Sequence, residues 1–343
     1  MARKIKYAIV GAHSFGNSHA TALSKHENVE IVATMDLHLD IAKELAEKWN
    51  IPAYYDDFDK MIANEDIEVV AVATSDKAHK EMTIRALRAG KHVVCEKPMS
   101  LFVEDCKEMI KVAEETGKLL LVGQVGRYTP AFVKAKELID SGALGDIFFV
   151  EGEYAHDYSK IPGVDGWRSD PDRHPVIGGA CHAIDLLRTL AGDPIEVAAV
   201  SNHKVLTDWP VDDCAVGIFK FPNNVIGKVF TSIGCKRNYT MRTCVYGTKG
   251  TIIFDNTSPE ITMFHTNDTG LEIYGNHTTP HKIPVDVNNH NLASEHQGMI
   301  DAILEGKPLA CTANEGAKTV AVCCATVQAA KEGRFVTIDY SGL

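Results

Sequence analysis

The sequence predicts an α/β protein of two domains, the first built on a parallel sheet and the second on a large, mostly antiparallel sheet. The chain has 343 residues, a length that favours two domains. Strand-like and helix-like segments alternate as far as residue 122, which is typical of parallel strands joined by right-handed helical crossovers. Beyond Arg127, strand-like segments follow one another across polar turns, as in an antiparallel, open-faced sheet. We therefore expect domains at 1–122 and 123–343.

Five short apolar runs predict the strands of the first domain, because a parallel sheet is buried on both faces. The runs lie at 7–10, 29–35, 69–73, 92–95 and 119–122. Helical spacing of apolar residues predicts helices between them, at 16–25, 41–49, 79–89 and 103–116. Two of these helices run into Gly90 and Gly117, and glycine just past the last turn commonly ends a helix.

The second domain begins with a predicted helix at 131–141 and an alternating strand at 147–154. A segment rich in Gly, Pro and Asp at 157–179 predicts a long loop, and a helix follows at 181–191. Strand-like segments with polar turns fill 195–264, and two helical pieces follow at 293–305 and 314–333. This domain is therefore expected to be an α/β domain with a mostly antiparallel sheet.

The charge and the cysteine content of the chain indicate which partners and which cellular compartment to expect. The net charge is −11 and no long basic run occurs, so we expect no nucleic-acid partner. The nine cysteines show no CxxC spacing, which favours free thiols in a reducing compartment. The apolar run that ends at Gly11 is too short for a signal peptide or a membrane span. We expect a cytoplasmic protein that does not enter a membrane.

The turn after the first strand carries an incomplete glycine fingerprint, Gly11-Ala12-His13-Ser14-Phe15-Gly16. It follows a strand and opens a helix, and a helix N-terminus offers N–H groups to a pyrophosphate. His13 replaces the middle glycine that normally lets the pyrophosphate approach, so we expect its ring beside a cofactor without blocking it. These features predict a Rossmann domain; a Rossmann-like fold without cofactor is the alternative.

Asp36 ends the second strand, about 20 residues beyond the turn, where an acid binds the ribose hydroxyls of a dinucleotide. Its carboxylate would repel a 2′-phosphate, so NAD is favoured over NADP. Thr74, Ser75 and His79 follow the third strand and are expected to line the cofactor groove. Thr74 and Ser75 could equally cap the next helix.

Several motifs carry a family resemblance. Ala73-Thr74-Ser75-Asp76-Lys77-Ala78-His79 ends the third strand, Cys95-Glu96-Lys97-Pro98 ends the fourth, and Gly247-Thr248-Lys249-Gly250 lies late in the sheet domain. With the glycine turn, they resemble the glucose-fructose oxidoreductase / inositol dehydrogenase / rhizopine-catabolism (Gfo/Idh/MocA) family over nearly the whole chain. The resemblance implies a Rossmann domain, an open-faced sheet domain that builds homodimers or homotetramers, and a substrate held between them. It also implies oxidation or reduction of a secondary alcohol on a sugar or cyclitol.

Lys97 is the first catalytic candidate. It follows a parallel strand, where ligands of open α/β sheets bind, and an ammonium there can relay a proton to a substrate hydroxyl. The resemblance implies the same role for this lysine, and the alternative is a surface lysine on a turn. Glu96 and Pro98 are expected to hold the turn, and the resemblance implies a cis bond before Pro98.

His182 is the second candidate, because it matches the histidine of the family pattern Asp-x-Gly-x-His-x-x-Asp. Imidazole is a competent general base for alcohol oxidation, although His182 could also be a buried structural histidine. Asp185 matches the later acid, and a catalytic and an orienting role stay open for it. Gly178 replaces the earlier aspartate and Ala180 replaces the glycine of the pattern. The loss of the aspartate leaves the partner of His182 undetermined; Asp157 could supply an acid.

Aromatic and basic side chains around these motifs are expected to bind substrate. Trp167 can stack on a sugar ring and Arg168 can donate to hydroxyls or carboxylates. The remaining candidates for the pocket wall are Arg127, Tyr128, Tyr154, His156 and Asp157. Ordinary packing is the alternative for each.

A metal site near Cys181 and His182 fits no standard ligand spacing, so we expect none. Three functions stay open. The leading one is an NAD-dependent sugar or inositol dehydrogenase. The second is an NAD-dependent glycosidase that oxidises its substrate transiently and eliminates the glycosidic bond. The third is an NAD-binding regulator without catalytic activity, against which the presence of Lys97 and His182 argues.

Overall fold

The computed structural model describes residues 3–161, 163, 166–265 and 280–343. It divides into two compact units, each described by itself below. The first unit comprises Met1–Val125, Asn291–Val320 and Ser341–Leu343, and the second comprises Gly126–His290 and Ala321–Tyr340.

The first unit contains a six-stranded parallel sheet in the order β3-β2-β1-β4-β5-β6. Its strands are β1 Ile5–Val10, β2 Val29–Met35, β3 Ala53–Tyr55, β4 Val69–Val72, β5 His92–Cys95 and β6 Leu120–Val122. The predicted parallel sheet is confirmed. The sequence did not predict β3, because its three residues at the sheet edge are half-buried or exposed and are too few to carry a periodic signal.

Five helices connect these strands: α1 Ser14–Leu23, α2 Leu39–Trp49, α3 Phe58–Ile62, α4 His79–Arg88 and α5 Val103–Thr116. The short helix α3 was also not predicted; it is capped by Asp57, whose carboxylate accepts the N–H groups of Asp59 and Lys60. The helix α5 ends at Gly117, which has φ 63°, as expected of a C-terminal glycine.

The second unit carries α6 Pro130–Asp140, α7 Pro175–Gly178 and α8 Cys181–Ala191. Its described strands form a nine-stranded sheet in the order β14-β13-β12-β11-β7-β10-β9-β8-β15. They are β7 Ile147–Ala155, β8 Glu196–Asn202, β9 Cys214–Lys220, β10 Ile226–Ser232, β11 Thr243–Gly247, β12 Gly250–Phe254, β13 Glu260–His265, β14 His281–Pro284 and β15 Val336–Thr337. Only the β7–β10 pair among them is parallel, so the predicted, mostly antiparallel sheet is confirmed.

The helix α8 packs closely on one face of this sheet. A Cβ atom at Gly152 of β7 would lie 2.8 Å from Cδ1 of Leu187 and 3.5 Å from Cβ of Ala183. Glycine at 152 therefore lets the helix approach the strand, which fixes the position of His182 at the start of α8.

The predicted loop at 157–179 contains the short helix α7 and single turns at Tyr158–Lys160 and Trp167–Ser169. Residues 162, 164 and 165 of that prediction lie outside the described residues.

The last two helices are α9 Leu292–Glu305 and α10 Ala313–Glu332. Met299 and Ile300 of α9 are buried in one hydrophobic cluster with Ile5, Ile9 and Leu121 of the parallel sheet. The chain thus returns to the first unit at Asn291, so a second domain that runs unbroken over 123–343 differs from the structure. Across the described chain, no helix is long and apolar enough to cross a bilayer.

Candidate active site

The glycine turn after β1 is built on two close backbone approaches. Gly11 has φ 90°, and a Cβ there would lie 2.5 Å from the carbonyl oxygen of Ala73. A Cβ at Gly16 would lie 2.1 Å from the carbonyl oxygen of Gly11. Any side chain at either position would force the turn apart. The fingerprint is therefore incomplete only at its middle position.

His13, at that middle position, has φ −66° and is exposed. Its backbone is thus ordinary, and the imidazole does not cap the helix α1 that it precedes. Ser14 and Phe15 open α1, where the first N–H groups of a helix have no intrahelical partner. The turn can hold a pyrophosphate at this helix N-terminus.

Asp36 lies against the same turn, at the end of β2. Its Oδ2 accepts the N–H of Ala12 at 2.9 Å, and its Oδ1 accepts the N–H of His38 at 3.1 Å. Each carboxylate oxygen keeps a further lone pair for a ribose hydroxyl. Because this buried anion stands beside the turn, the residues present fit NAD and disfavour the 2′-phosphate of NADP.

Thr74 and Ser75 are half-buried at the end of β4, and neither caps the following turn at Asp76–Ala78 through its side chain. His79 takes a supporting position: it is buried, with Nδ1 2.8 Å from the carbonyl oxygen of Pro98 and Nε2 3.3 Å from that of Thr74. Both neighbours are acceptors, so a protonated ring can donate to both. Burial lowers the pKa of His79, but Cys95, Asp76 and the Pro98 carbonyl together raise it to about 9.

Lys97 stands out in the turn after β5, since residues 93–100 are otherwise buried and Lys97 is half-exposed. Its main-chain N–H donates to Oε2 of Glu96 at 3.2 Å. Its ammonium forms no ion pair within the part of the chain that the structure describes. The Lys97–Pro98 peptide bond is cis, as the resemblance implies.

Glu96 is buried under this turn, where its Oε1 meets Nε2 of His19 at 3.1 Å. Burial raises the pKa of Glu96, but the His19 hydrogen bond and the charges of Lys97 and His79 outweigh it and hold the pKa at about 2. Glu96 is therefore a buried carboxylate anion, and it stabilises the turn by accepting the main-chain N–H of Lys97.

In the second unit, His182 belongs to a cluster of aromatic rings. Its ring stacks on Tyr154 with centroids 6.2 Å apart, and it meets His290 edge-on at 5.3 Å. The hydroxyls of Tyr154 and Tyr158 share a hydrogen bond of 2.7 Å. Tyr239 completes the cluster, with its hydroxyl 3.2 Å from Nε2 of His290. Burial and the neighbouring tyrosines raise the pKa of Tyr154 well above its usual range, so this phenol stays neutral.

Arg173 occupies the position that Gly178 leaves open. A Cβ at Gly178 would lie 2.3 Å from Cζ of Arg173, so the guanidinium fills the space where a longer side chain would begin. Its Nη2 donates to the carbonyl oxygen of Gly178 at 2.8 Å, and the residue is buried. A cation therefore stands where the family pattern has an aspartate.

Asp157, the acid considered as a replacement, is engaged elsewhere. Its Oδ1 accepts the N–H of Ser159 at 3.0 Å, and its Oδ2 pairs with Nζ of Lys236 at 3.1 Å. Hydrogen bonds from Ser159, and then from Lys236, lower the pKa of Asp157 to about 2. His156 lies nearby in the chain and packs against Tyr239, with centroids 4.8 Å apart.

Trp167 contacts two guanidinium groups. Cζ of Arg168 lies 4.2 Å from the indole centre, and Cζ of Arg173 lies 4.9 Å from it. Arg168 also approaches the Tyr158 ring at 5.8 Å. The predicted stacking surface of Trp167 is thus shared with cations from its own loop.

Arg127, predicted to line the substrate pocket, and Asp185, predicted to be either catalytic or orienting, bind each other. Nε and Nη2 of Arg127 donate to Oδ2 and Oδ1 of Asp185, each at 2.8 Å. Nη1 of Arg188 lies 3.6 Å from Oδ1 of Asp185. The pair is nearly buried, and this geometry favours the orienting role for Asp185. Tyr128, the next residue after Arg127, is half-buried.

Tyr158, Arg173, Tyr239 and His290 were not predicted as site residues. Tyr239 and His290 come from loops far along the chain from His182, so no local motif could have linked them. Arg173 could have been noticed as a cation five residues before Gly178, which replaces the aspartate of the family pattern. Over the described residues, no group of three His, Cys, Asp or Glu side chains could hold a metal ion.

Two family models match this chain. The model described as "Oxidoreductase family, NAD-binding Rossmann fold" covers residues 5–124, and the "GFO/IDH/MocA C-terminal domain" covers residues 132–253. A trans-1,2-dihydrobenzene-1,2-diol dehydrogenase of Mus musculus is 30% identical over 250 residues, which span 72% of this chain and 73% of that protein. The chain belongs to the Gfo/Idh/MocA oxidoreductase family. The resemblance drawn from its motifs is confirmed.

Two further similarities extend over nearly all of this Gfo/Idh/MocA protein. An inositol 2-dehydrogenase of Rhizobium meliloti is 27% identical over 350 residues, covering 97% of this chain and 99% of the relative. A solved structure of levoglucosan dehydrogenase, in complex with NADH and L-sorbose, matches with a TM-score of 0.89 at 23% identity, covering 98% of this chain and 99% of that one. At that identity the structural match establishes the fold alone.

Membership confirms the predicted cofactor and class of this protein. The matching N-terminal model is NAD-binding, and the turn and Asp36 fit that cofactor. The Gfo/Idh/MocA chain is therefore an NAD-dependent oxidoreductase of the dehydrogenase type.

Proposed function

We propose that this dehydrogenase oxidises or reduces a secondary alcohol of a sugar, a sugar derivative or an inositol. The observation that carries the proposal is Lys97: a half-exposed ammonium on an otherwise buried turn, at the strand ends where an open α/β sheet binds ligands. Relatives named as inositol 2-dehydrogenases support the substrate class. A polyhydroxylated substrate would also suit the aromatic and guanidinium groups around His182.

When bound, NAD supplies the hydride acceptor at C4 of its nicotinamide ring. What remains for the protein is the hydroxyl proton, which must leave as the carbinol C–H bond breaks. The neutral amine of Lys97, or the neutral imidazole of His182, accepts that proton during oxidation, and the resulting ammonium or imidazolium returns it during reduction. Position 178 is glycine and supplies no carboxylate, and the Arg173 guanidinium fills the space beside it. This favours Lys97 as the group that exchanges the proton.

Other residues have binding roles in this proposal. Gly11, Gly16 and the start of α1 hold the pyrophosphate, and Asp36 binds the adenosine ribose. Thr74 and Ser75 border the cofactor groove, and the buried side chains of His79 and Glu96 stabilise the turn at Lys97 and Pro98 beside it. Substrate contacts are assigned to a group drawn from the second unit: Tyr128, Tyr154, Asp157, Trp167 and Arg168. Arg127 and Asp185 support that group as a pair.

A substrate screen tests the proposal. The enzyme is incubated with inositols, aldoses and aryl glycosides, each with NAD and with NADP, and NADH is followed by absorbance. We expect net NADH with at least one free polyol or sugar, and a preference for NAD. Aryl-glycoside cleavage without net NADH would instead identify the transient-oxidation glycosidase, and tight NAD binding without any turnover would identify a regulator.

We further propose a homodimer or homotetramer formed through the outer face of the nine-stranded sheet. Val200, Ile218 and Ile226 lie on that face, away from α8, and are 71%, 49% and 49% exposed. Exposed apolar side chains on neighbouring strands are typical of an interface. Light scattering should give a mass of two or four chains, and Ile218→Lys should lower it. A monomeric wild type would refute this.

We also place the protein in the cytoplasm. None of the nine cysteines forms a disulfide within the described residues, as expected in a reducing compartment. Fractionation of cells that express the native chain tests this, and recovery from an oxidising compartment would contradict it.

A further inference from the structure

A row of three buried side chains lies beneath the Lys97 turn, all within the first unit. Nε2 of His19, on α1, lies 3.1 Å from Oε1 of Glu96, and Nδ1 of His19 lies 2.9 Å from Nε2 of His296, on α9. Both histidines are fully buried and Glu96 is nearly so. The row therefore joins the turn that follows β5 to two helices that are far apart in the sequence.

The direction of these hydrogen bonds follows from the groups involved. An ionised carboxylate only accepts, so Nε2 of His19 carries a proton. The contact between the two rings has one proton, which we assign to Nε2 of His296. This leaves Nδ1 of His296 as an acceptor without a partner among the described residues. The reverse assignment would put the second proton on Nδ1 of His296, a buried N–H donor without an acceptor among the described residues, which costs more than an unpaired acceptor.

The surroundings of His296 agree with a neutral ring. Burial lowers the pKa of His296 well below its usual range. Tyr7 meets its ring edge-on, with centroids 5.4 Å apart. Glu295, also on α9, is fully buried, and neither of its oxygens has a hydrogen-bond partner among the described residues.

Glu96 receives donors on both of its oxygens. Oε1 accepts the Nε2–H of His19, and Oε2 accepts the main-chain N–H of Lys97. Because both oxygens accept a hydrogen bond, the Glu96 carboxylate has a single orientation. The main-chain N–H of Lys97, which donates to it, is fixed as well. Lys97 and His79 are the cationic groups that face it, and Glu295 is the acidic one.

We propose that His19 and His296 are positioning residues of the active site: through Glu96 they fix the main chain of Lys97 and hence the reach of its ammonium. The proposal rests on the catalytic role proposed for Lys97. Neither histidine touches substrate, so both act only through the turn. A displacement of about 1 Å in a group that exchanges a proton can cost on the order of 10²-fold in rate.

The test compares two substitutions of His296 with a matched control. His296→Leu removes the N–H donor at similar volume, whereas His296→Gln can place an amide N–H near the Nε2 position. The control is His26→Leu, which removes a 3.0 Å hydrogen bond from Nε2 of His26 to the carbonyl of Ala293 at the start of α9. This control leaves Glu96 untouched while cutting another link between the same parts of the chain.

We expect kcat of His296→Leu to fall between about 10-fold and 10²-fold, while KM for NAD changes by less than about twofold. His296→Gln should recover most of the lost kcat, and His26→Leu should keep the kcat of wild type. If Lys97→Ala is inactive but His296→Leu matches His26→Leu, the positioning role is refuted on its own. If Lys97→Ala keeps full activity, the catalytic assignment of Lys97 fails instead, and the positioning proposal fails with it.

A spectroscopic readout needs neither activity nor cofactor. In ¹⁵N-histidine NMR of the wild-type protein, His19 and His296 should both show a protonated Nε2 and an unprotonated Nδ1. Spectra of His19→Gln and His296→Gln assign the signals. A doubly protonated His19, or a proton on Nδ1 of His296, would overturn the proposed direction of the row even if His296→Leu failed to fold.

Discussion

Asp185→Asn tests whether Asp185 orients its neighbours or takes part in the chemistry. The carboxylate is 2% exposed and accepts both donors of Arg127 at 2.8 Å, with Arg188 at 3.6 Å. Removing one partner of a buried ion pair costs about 3–5 kcal/mol. The asparagine carbonyl can restore one neutral hydrogen bond, worth about 1 kcal/mol. We therefore expect the free energy of unfolding to fall by about 3 kcal/mol.

The assay is urea denaturation with an unchanged m-value. Asp140→Asn is the control, because Asp140 forms an exposed ion pair with Lys136 on α6, worth at most about 0.5 kcal/mol. The double substitution Arg127→Met with Asp185→Leu should recover most of the lost stability, since it removes both charges. The orienting role is refuted if Asp185→Asn is as stable as Asp140→Asn yet inactive.

Three further predictions follow from the first unit. Asp36→Ala should reduce the preference for NAD over NADP by roughly tenfold or more, because like charges in contact cost at least about 1.4 kcal/mol. The ratio of the two kcat/KM values measures this, with exposed Asp56→Ala as control; an unchanged ratio contradicts the ribose-binding role. His79 has a folded pKa of about 9, above the usual 6.5, so its stabilisation is complete below pH 6.5 and is lost as pH rises to 9. Unfolding of wild type should lose up to about 3 kcal/mol over that window, and His79→Gln should not show the loss; equal slopes would contradict the protonated ring. Burial and the nearby Glu96 charge raise the pKa of Glu295 well above its usual range, so Glu295→Gln should leave stability within about 1 kcal/mol of wild type, whereas Glu96→Gln should cost about 1–3 kcal/mol. Thermal unfolding compares them, and the opposite order would contradict the assigned charges.

Regular elements with a strong local signal were predictable from the sequence. The helices at 103–116 and 181–191 have the predicted bounds, because their apolar spacing and terminal glycines are features of the chain itself. The return of α9 to the first unit was not predictable. The apolar face of α9 could pack in the core of either unit. Only the structure shows that Met299 and Ile300 pack with residues of the parallel sheet.

The residues of the candidate site also fall into those that the sequence reveals and those that only the structure shows. Asp36 and Lys97 could be singled out because each follows a buried strand, and strand ends meet at one edge of a parallel sheet. The row Glu96–His19–His296 spans contacts 77 and 277 residues apart in the chain, so no spacing rule reveals it. Arg173 at Gly178 likewise depends on the path of a loop. The sequence thus reveals single functional residues from their place after a strand, but it does not reveal the distant residues that contact them.

The most direct measurement of the central claim is the pre-steady-state rate of hydride transfer, with NAD and a saturating polyol found by the substrate screen. Wild type and Lys97→Ala are compared in a stopped-flow instrument by NADH absorbance. We expect a single phase of NADH formation whose rate falls by about 10²–10⁴-fold in Lys97→Ala, the range for loss of a general acid–base group. An unchanged rate in Lys97→Ala would contradict the assignment of this lysine to the chemical step.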